Sequence, residues 1–476
     1  MDRQKDLNGF LKHASEVGKA VLEFRNPLLV GDYDADGISS TSIGALALKR
    51  KGIPFEINIL RKRDEKTIKE IGKSNCEEIV FFDFGSGMLN IIEQELVGKK
   101  FVVIDHHQPE KDSKSEFHAN PHQFGFSGVN EASASTVSYL CFRECGFDLS
   151  EYAVVGAVGD MQDNYGGERG FTGLNKFVLD EALENGIVFV TKDLKIFGRV
   201  SRPLVWFLNY SAEPYLPGLT NDEKACAAFL EKNGIPLREE TEVSGKKVFR
   251  WLHYYDLNVF QRRRFVSALV NYCYEKGLSE DVVKELIGNV YCFLREKQNT
   301  ELYDAYEFST LLNACGRHGQ PEVGIGVCLH ENGAFEEAKK ILNTHRAFIR
   351  NGISLAKRKT SDYGAFYFLD GRGKVPPTVV GSIAGTYFNS GLVKRNKPII
   401  AFSLDEDNNI KVSARGSRVL VEQGLDLTTA MKKAAYGIGF GGGHTIAAGA
   451  SIKKGSEKEF LLRCKNIISS QLHPKQ

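Results

Sequence analysis

The chain has 476 residues, which at roughly 150 residues per domain is room for about three domains, each with a core of its own. Hydrophobic residues make up 42% and charged residues 26%, an ordinary globular balance that excludes a disordered or fibrous protein. With 62 Lys+Arg against 60 Asp+Glu the formal charge is only +2, so any contact with nucleic acid has to come from local patches.

At the amino terminus, MDRQKDLNGFLKHASEVGKA is charged and helical in period, without the apolar core of a signal peptide. No stretch reaches the ~20 apolar residues that cross a bilayer, so a cytoplasmic protein with no membrane partner is expected. As far as residue 190, short apolar runs alternate with helical stretches, the pattern of a parallel sheet with crossover helices. Strands are predicted at 27–31, 78–82 and 100–104, a helix around 40–50, and the apolar run 153–158 belongs to a helix. Residues 209–222, with Pro214, Pro217 and Gly218, read as a boundary loop. A mostly helical connector or insertion is assigned to 191–300, with Tyr and Phe interleaved with Arg and Lys. The last domain, 301–476, is predicted to carry a long amphipathic helix at 335–358 and strands at 365–369, 398–404 and 411–414. It ends with a glycine-dense run, GIGFGGGH, at 437–444. The nine cysteines include no C-x-x-C, and Cys141 and Cys145 are four apart as on one helix face, so reduced thiols are expected.

The acids fall where the strands end. The first strand runs into GDYDADG, with Asp32, Asp34 and Asp36; the second ends at Asp83 in FFDFGSG; the third ends in Asp105-His106-His107; and Asp160 closes VVGAVGD, with Asp163 beyond. Ligands of open parallel sheets bind at the carboxyl ends of the strands, so this layout gathers five or six carboxylates and two imidazoles around one crevice. So many carboxylates stay ionised together only if cations neutralise them, and hard oxygen ligands with a histidine or two suit Mn²⁺ or Mg²⁺. A calcium loop is excluded because Ile43 stands where its twelfth-position Glu belongs. Gly72-Lys73-Ser74 is no phosphate loop either, since Thr67 replaces its first Gly and no strand leads in. Taken singly, each Asp fits a helix N-cap.

The four acidic segments resemble those of the DHH phosphoesterase superfamily. The tail, Ser413-Ala-Arg415 followed by GFGGGHTIAAGA, is similar to the companion DHHA1 signature. GDYDADG is the form of the RecJ-like exonuclease branch, and the length, the inserted middle and EFSTLLNACGR (307–317) look most like its archaeal members. The resemblance implies an α/β protein: a doubly wound parallel-sheet DHH domain, a helical insertion, and a smaller α/β DHHA1 domain across a cleft. It implies association with the GINS replication complex and kinship with a eukaryotic replicative-helicase subunit that has lost catalysis.

Carried over residue by residue, the resemblance implies that Asp83 bridges two metal ions, that Asp36, His106 and Asp160 complete one ion's ligands, and that Asp34 holds the other. His107 would contact the scissile phosphate and Asp105 would support the site. Pyrophosphatase-like relatives carry a His four residues before Asp34, where this chain has Val30, so Asp32 has to substitute. Two divalent ions lower the pKa of a water and clamp the phosphoryl oxygens, so no protein nucleophile is needed. Arg415, Gly442, Gly443 and His444 are the candidates for phosphate or sugar contacts. The glycine run would turn N–H groups inward ahead of a helix starting near Thr445. The expected activity is a two-metal single-strand exonuclease, acting on DNA or RNA in replication or repair and releasing nucleoside monophosphates. The alternatives are a small-substrate phosphoesterase, acting on short oligoribonucleotides or nucleotide bisphosphates, and a silent replication scaffold.

Three further features stay open at this stage. Gln261-Arg262-Arg263-Arg264-Phe265 suits single-stranded nucleic acid as well as a solvated helix face. His118 and His122, around Asn120-Pro121, read as turn residues. Asn313, Arg317 and His318 form a polar cluster near the expected cleft.

Overall fold

The computed structural model describes residues 5–110, 117–164, 170–212, 214–243 and 246–472. The chain divides into two compact units, Met1–Lys195 with Ile287–Asn343, and Ile196–Leu286 with Thr344–Gln476.

The first unit is built on a five-stranded parallel sheet, and the α/β architecture expected from the alternating pattern is present. After helix α1 (Leu7–Leu22) come β1 (Leu28–Asp32), α2 (Ala35–Arg50), β2 (Glu56–Leu60), α3 (Glu65–Gly72), β3 (Glu78–Phe82), α4 (Leu89–Glu95), β4 (Lys100–Ile104) and the short β5 (His118–Ala119). The strand order is β2-β1-β3-β4-β5, with every neighbouring pair parallel. Alternate β1 residues point into two separate cores. Leu29 packs with α1, α2 and the helices that follow, and Leu28 and Val30 pack with α3 and α4. Apolar burial on both faces is what turns these strands into near-continuous hydrophobic runs. The strand order reverses between β1 and β3, so a crevice opens there at the carboxyl ends, where Asp32 and Asp83 lie. Helices α5 (Ala134–Phe142), α6 (Ser150–Gly159) and α7 (Gly173–Glu184) follow, and β6 (Val188–Leu194) leads to the second unit.

Residues 196–286 form α8 (Leu204–Asn209), α9 (Glu223–Lys232), the hairpin β7 (Arg238–Val243) and β8 (Lys246–Trp251), α10 (Val259–Glu275) and α11 (Glu280–Lys284). The hairpin departs from the helical texture expected there. Its strands, REETEV and KKVFRW, are short and charge-rich with no strict period-2 alternation, so the pattern gives little strand signal.

The chain then returns to the first unit through β9 (Ile287–Phe293), which pairs antiparallel with β6. Helices α12 (Ala305–Arg317) and α13 (Pro321–Cys328) pack against α2, so residues 301–343 belong with the amino-terminal sheet rather than with the chain that follows them. Helix α14 (Ala334–Lys359) runs from one unit into the other. The remaining elements are β10 (Thr360–Asp362), β11 (Tyr367–Asp370), α15 (Val380–Asn389), β12 (Ile399–Leu404), β13 (Ile410–Arg415), α16 (Arg418–Glu422), α17 (Leu427–Ala435), β14 (Gly439–Gly443), β15 (Ala447–Ile452) and α18 (Glu457–Leu472). Their sheet has the order β10-β11-β12-β13-β15-β14.

The helix expected near Thr445 is absent: β14 and β15 form an antiparallel hairpin through that point. Gly441 of this run serves packing. A Cβ on Gly441 would stand 2.5 Å from the Met431 carbonyl oxygen of α17, so only glycine lets the strand lie against the helix.

Gly316 makes a comparable contact in the first unit, where a Cβ would stand 1.6 Å from the Tyr33 carbonyl oxygen just after β1. Replacing a helical Gly by Ala ordinarily stabilises by about 0.8–1 kcal/mol. Here the backbone clash reverses the sign, and Gly316→Ala is expected to cost on the order of 1–3 kcal/mol in denaturant unfolding.

Candidate metal centre

Each acidic residue is positioned by backbone geometry that its own segment dictates. Asp34 caps α2, and its Oδ1 accepts the N–H groups of Asp36 (3.1 Å) and Gly37 (3.0 Å). The N-cap reading and the ligand reading are compatible, because the cap fixes the side chain that faces the crevice. Asp36 lies in the first helical turn and is buried. Its two oxygens accept N–H bonds from Ala134 (2.7 Å) and Ser135 (2.9 Å) at the start of α5, where helix N–H groups favour a carboxylate. Asn313 Oδ1 of α12 accepts the Ala35 N–H at 3.1 Å, so the polar cluster on that helix supports the first acidic loop. Asp32 is buried and pairs with Arg63 at 2.7 Å.

Asp83 follows β3 in a left-handed conformation, φ 65°. Asp tolerates this region better than most residues, at a cost on the order of 1 kcal/mol. The turn aims the carboxylate inward. Asp83 is 2% exposed, and its Oδ1 accepts no hydrogen bond, although His106 Nε2 stands 3.3 Å away. An ionised oxygen buried without a donor is costly, and a bound cation is the partner it lacks.

Asp105 plays a different part. It accepts N–H bonds from Ser86 (2.9 Å), His106 (2.7 Å) and His107 (3.1 Å), and His107 Nδ1–H donates to it at 2.8 Å. Its oxygens are occupied in holding the Asp-His-His turn. His106 Nδ1 donates to the carbonyls of Gly128 (2.6 Å) and Ala132 (3.1 Å), which turns Nε2 toward Asp83, Asp160 (3.5 Å) and Asp36 (3.9 Å). A histidine tied to a carbonyl through one nitrogen presents the other as a metal ligand. Ser86 Oγ meets His118 Nε2 and Asn120 Nδ2 (both 2.8 Å), and Asn120 also donates to the His107 carbonyl at 2.9 Å. His118 is thus structural support for the turn. Asp163 is buried against Lys195 (2.7 Å) and Tyr306 and takes no part in the acidic cluster.

Three sets of ligand atoms each lie within 4.8 Å of one another: Asp36, His106 and Asp160; Asp32, Asp34 and Asp83; and Asp83, Asp105, His106 and His107. The first two sets adjoin where Asp83 meets His106. Crowding governs the charge state. Burial, then Asp34 and Asp36, push the Asp83 carboxyl well above the usual range. Burial and Asp36 do the same to Asp160, and burial lifts Asp32 to about 6 despite Arg63. Burial opposes the charged form of His106, yet Asp83, Asp160 and Asp36 outweigh it and raise the imidazole well above 6.5. Asp105 goes the other way: burial raises it, but His107, His106 and its N–H donors hold it well below the carboxylate range. The donor set therefore fits divalent cations, which replace the protons the site otherwise takes up.

In the second unit, Arg415 ends β13 opposite Ala447 of β15. Its side chain lies over Gly381 of α15, where a Cβ would meet Nη2 at 2.5 Å. Gly442, Gly443 and His444 lie at the end of edge strand β14 and in the turn to β15, with the His444 N–H bonded to the Ala447 carbonyl at 2.9 Å. The register brings Arg415, Gly443 and His444 to one end of the sheet. Sequence reasoning missed Ser86, Asn120, Gln162 and Arg63, which act through other residues and carry no motif of their own. Gln162 donates to the Gly128 carbonyl at 3.0 Å, beside His106.

Residues 27–158 match the DHH family, N-terminal domain; residues 196–287 match the DHH-CID domain and residues 365–470 the DHHA1 domain. The chain is 32% identical over 485 residues to the uncharacterized protein MJ0831 of Methanocaldococcus jannaschii, with 97% of this chain and 99% of that protein covered. Two similar solved structures bear on the fold. RecJ in complex with Mn²⁺ from Thermus thermophilus is 15% identical with a TM-score of 0.57, and the match covers 98% of this chain but 56% of that one. CDC45 from Entamoeba histolytica is 12% identical with a TM-score of 0.60, over 97% and 98% of the two chains. No helix among the described residues is long and apolar enough to cross a membrane.

The crowding fixes a pH dependence. Asp32, Asp83, Asp160 and His106 all hold protons more tightly folded than unfolded; in chelator the contribution of the three carboxyls is complete below about pH 4 and declines as pH rises through their folded values, about 6 for Asp32, whereas that of His106 is complete below about pH 6.5 and is lost only above it. Metal-free protein is therefore expected to melt at lower temperature at pH 7 than at pH 5. Mn²⁺ should reverse the loss, and Asp83→Asn, which keeps a left-handed-tolerant residue, should flatten the profile.

Proposed function

The chain belongs to the DHH/DHHA1 superfamily as a RecJ-like protein, and on that premise we propose that it is a metal-dependent exonuclease. It hydrolyses phosphodiester bonds of single-stranded DNA or RNA to nucleoside monophosphates with two ions of Mn²⁺ or Mg²⁺. The observation that carries this reading is the buried Asp83 Oδ1 without a hydrogen-bond partner, placed between two sets of acidic ligands. Members of the superfamily are typically phosphoesterases or nucleases, and the similar RecJ structure was solved with Mn²⁺.

Two divalent ions, when bound, supply an activated water and neutralise charge on the phosphoryl oxygens. The chain's own residues do the rest. Asp36, His106 and Asp160 hold one position, Asp34 and Asp32 the other, and Asp83 reaches both. The Asp105 carboxylate orients the half-exposed ring of His107 through Nδ1, and Nε2 is the atom that would meet a non-bridging phosphate oxygen. Asp105 itself is a positioning residue. Arg415, Gly442, Gly443 and His444 receive the phosphate or sugar of the bound nucleotide. The likeness to CDC45 supports a place beside the replication machinery, and the family resemblance names GINS as the partner.

The test is hydrolysis of end-labelled single-stranded DNA and RNA with Mn²⁺. Laddering is expected, abolished by Asp83→Asn and by chelator, with kcat lowered on the order of 100-fold by His107→Ala. Cleavage of dinucleotides alone would replace this reading with a small-substrate phosphoesterase. A folded chain that cleaves neither would be a non-catalytic scaffold.

A further inference from the structure

Among the described residues, Arg63 is the only lysine or arginine paired with an acid of the metal centre. Its Nη1 stands 2.7 Å from Asp32 Oδ2, and Asp34 and Asp83 also act on its charge. The contact is close but undirected: no N–H points squarely at Asp32 Oδ2, which is buried without a hydrogen bond. An ion pair built for structure looks different in the same unit, where Arg50 grips Asp148 with a fork of two hydrogen bonds, 2.9 and 2.6 Å. Asp32 is 1% exposed, whereas the Arg63 side chain is 40% exposed. The loop on either side of Arg63 is pinned. Arg61 donates to the Gly319 carbonyl at 2.5 Å, and Asp64 caps α3 by accepting the Thr67 N–H at 2.9 Å. The backbone is thus fixed, while the guanidinium is held by charge and has water beside it.

A guanidinium stays protonated at any working pH, so it yields to another cation only by moving. Asp32 Oδ1 already takes the Tyr33 N–H at 2.8 Å, which makes Oδ2, the oxygen under Arg63, the less engaged one. A divalent ion beside Oδ2 carries twice the charge at shorter range, and the two cations repel. Because no directed hydrogen bond is lost, the arginine is the group that leaves. The Asp36–His106–Asp160 set asks for no such movement. Asp36 is held by the Ala134 and Ser135 N–H groups, and among the described residues no lysine or arginine pairs with Asp36 or Asp160.

We infer that Arg63 competes with a divalent ion for the Asp32–Asp34–Asp83 position, so that the Asp36–His106–Asp160 position fills first and the second ion enters by displacing the guanidinium. The inference rests on the two-ion reading of the site and adds an order of filling and the residue that sets it.

The test is calorimetric titration of the chelator-treated full chain with Mn²⁺ at pH 8. Two classes of ion are expected. Arg63→Gln should tighten the weaker class at least about fivefold, the upper end for an exposed ion pair, and leave the tighter class within about twofold. Arg63→Lys, which keeps the charge, should retain the unmodified gap. Lys62→Gln removes the same charge from the adjacent residue and should change neither class, which separates displacement from a general field. Asp32→Asn should remove the weaker class alone. One ion bound by the unmodified chain and two by Arg63→Gln would also support the competition. Two ions bound by both, with the weaker class unchanged or weakened in Arg63→Gln, would overturn it while leaving the two-ion site intact. Loss of the tighter class in Asp32→Asn would overturn the order of filling. At most one ion in both proteins would refute the two-ion reading and the inference with it. No hydrolysis is measured, so the result stands apart from whether the chain is a nuclease.

Discussion

Mutual repulsion among buried carboxylates is the constraint on which the first unit depends. Asp32, Asp36 and Asp83 are almost wholly buried within one crevice, beside Asp34 and Asp160. Left to water and protons, such a cluster neutralises itself by raised pKa values, and the unit would gain more by replacing the acids with apolar residues. The chain instead keeps them and holds them in place with a left-handed Asp83, two α5 N–H groups directed at Asp36, and a network of Ser86, His118 and Asn120 behind the Asp-His-His turn. That arrangement is intelligible if divalent cations complete the folded state. The electrostatics then also assign roles. Asp105, whose two oxygens take four N–H donors and whose carboxyl is held low, orients His107, while Asp32, Asp83 and Asp160, whose carboxyls are pushed up by crowding and burial, are the acids a cation would relieve.

The support for this crevice comes from far along the chain. Asn313 and Gly316 on α12 brace the backbone just after β1, 278 residues distant in the case of the Ala35 bond. Residues 196–286 intervene before the chain returns through β9. The amino-terminal sheet is consequently completed by later chain, since its first acidic loop rests on a helix that lies beyond the excursion in sequence. Local loop-closure cost is modest for such an insertion, which grows only logarithmically with length.

Much of this was readable without coordinates, and for a definite reason. Strand-end acids follow a rule of parallel sheets, so four apolar runs each followed by Asp predict a shared crevice, and Asp34, Asp36, Asp83, His106 and Asp160 do meet there. What escaped was long-range. No window of sequence joins Asn313 to Ala35, and nothing in FFDFGSG distinguishes Ser86 as a support. The glycine run misled for a local reason: successive glycines fit a turn before a helix as well as a strand pressed on one, and the Met431 carbonyl decides between them.

The most direct measurement is calorimetric titration of chelator-treated protein with Mn²⁺ at neutral pH, comparing the unmodified chain with Asp83→Asn. The account predicts two ions per chain, with proton release on binding as the acids give up what they hold, and loss of both sites in the variant because Asp83 serves each. Two ions bound equally by Asp83→Asn, or none bound by either protein while both remain folded, would contradict it.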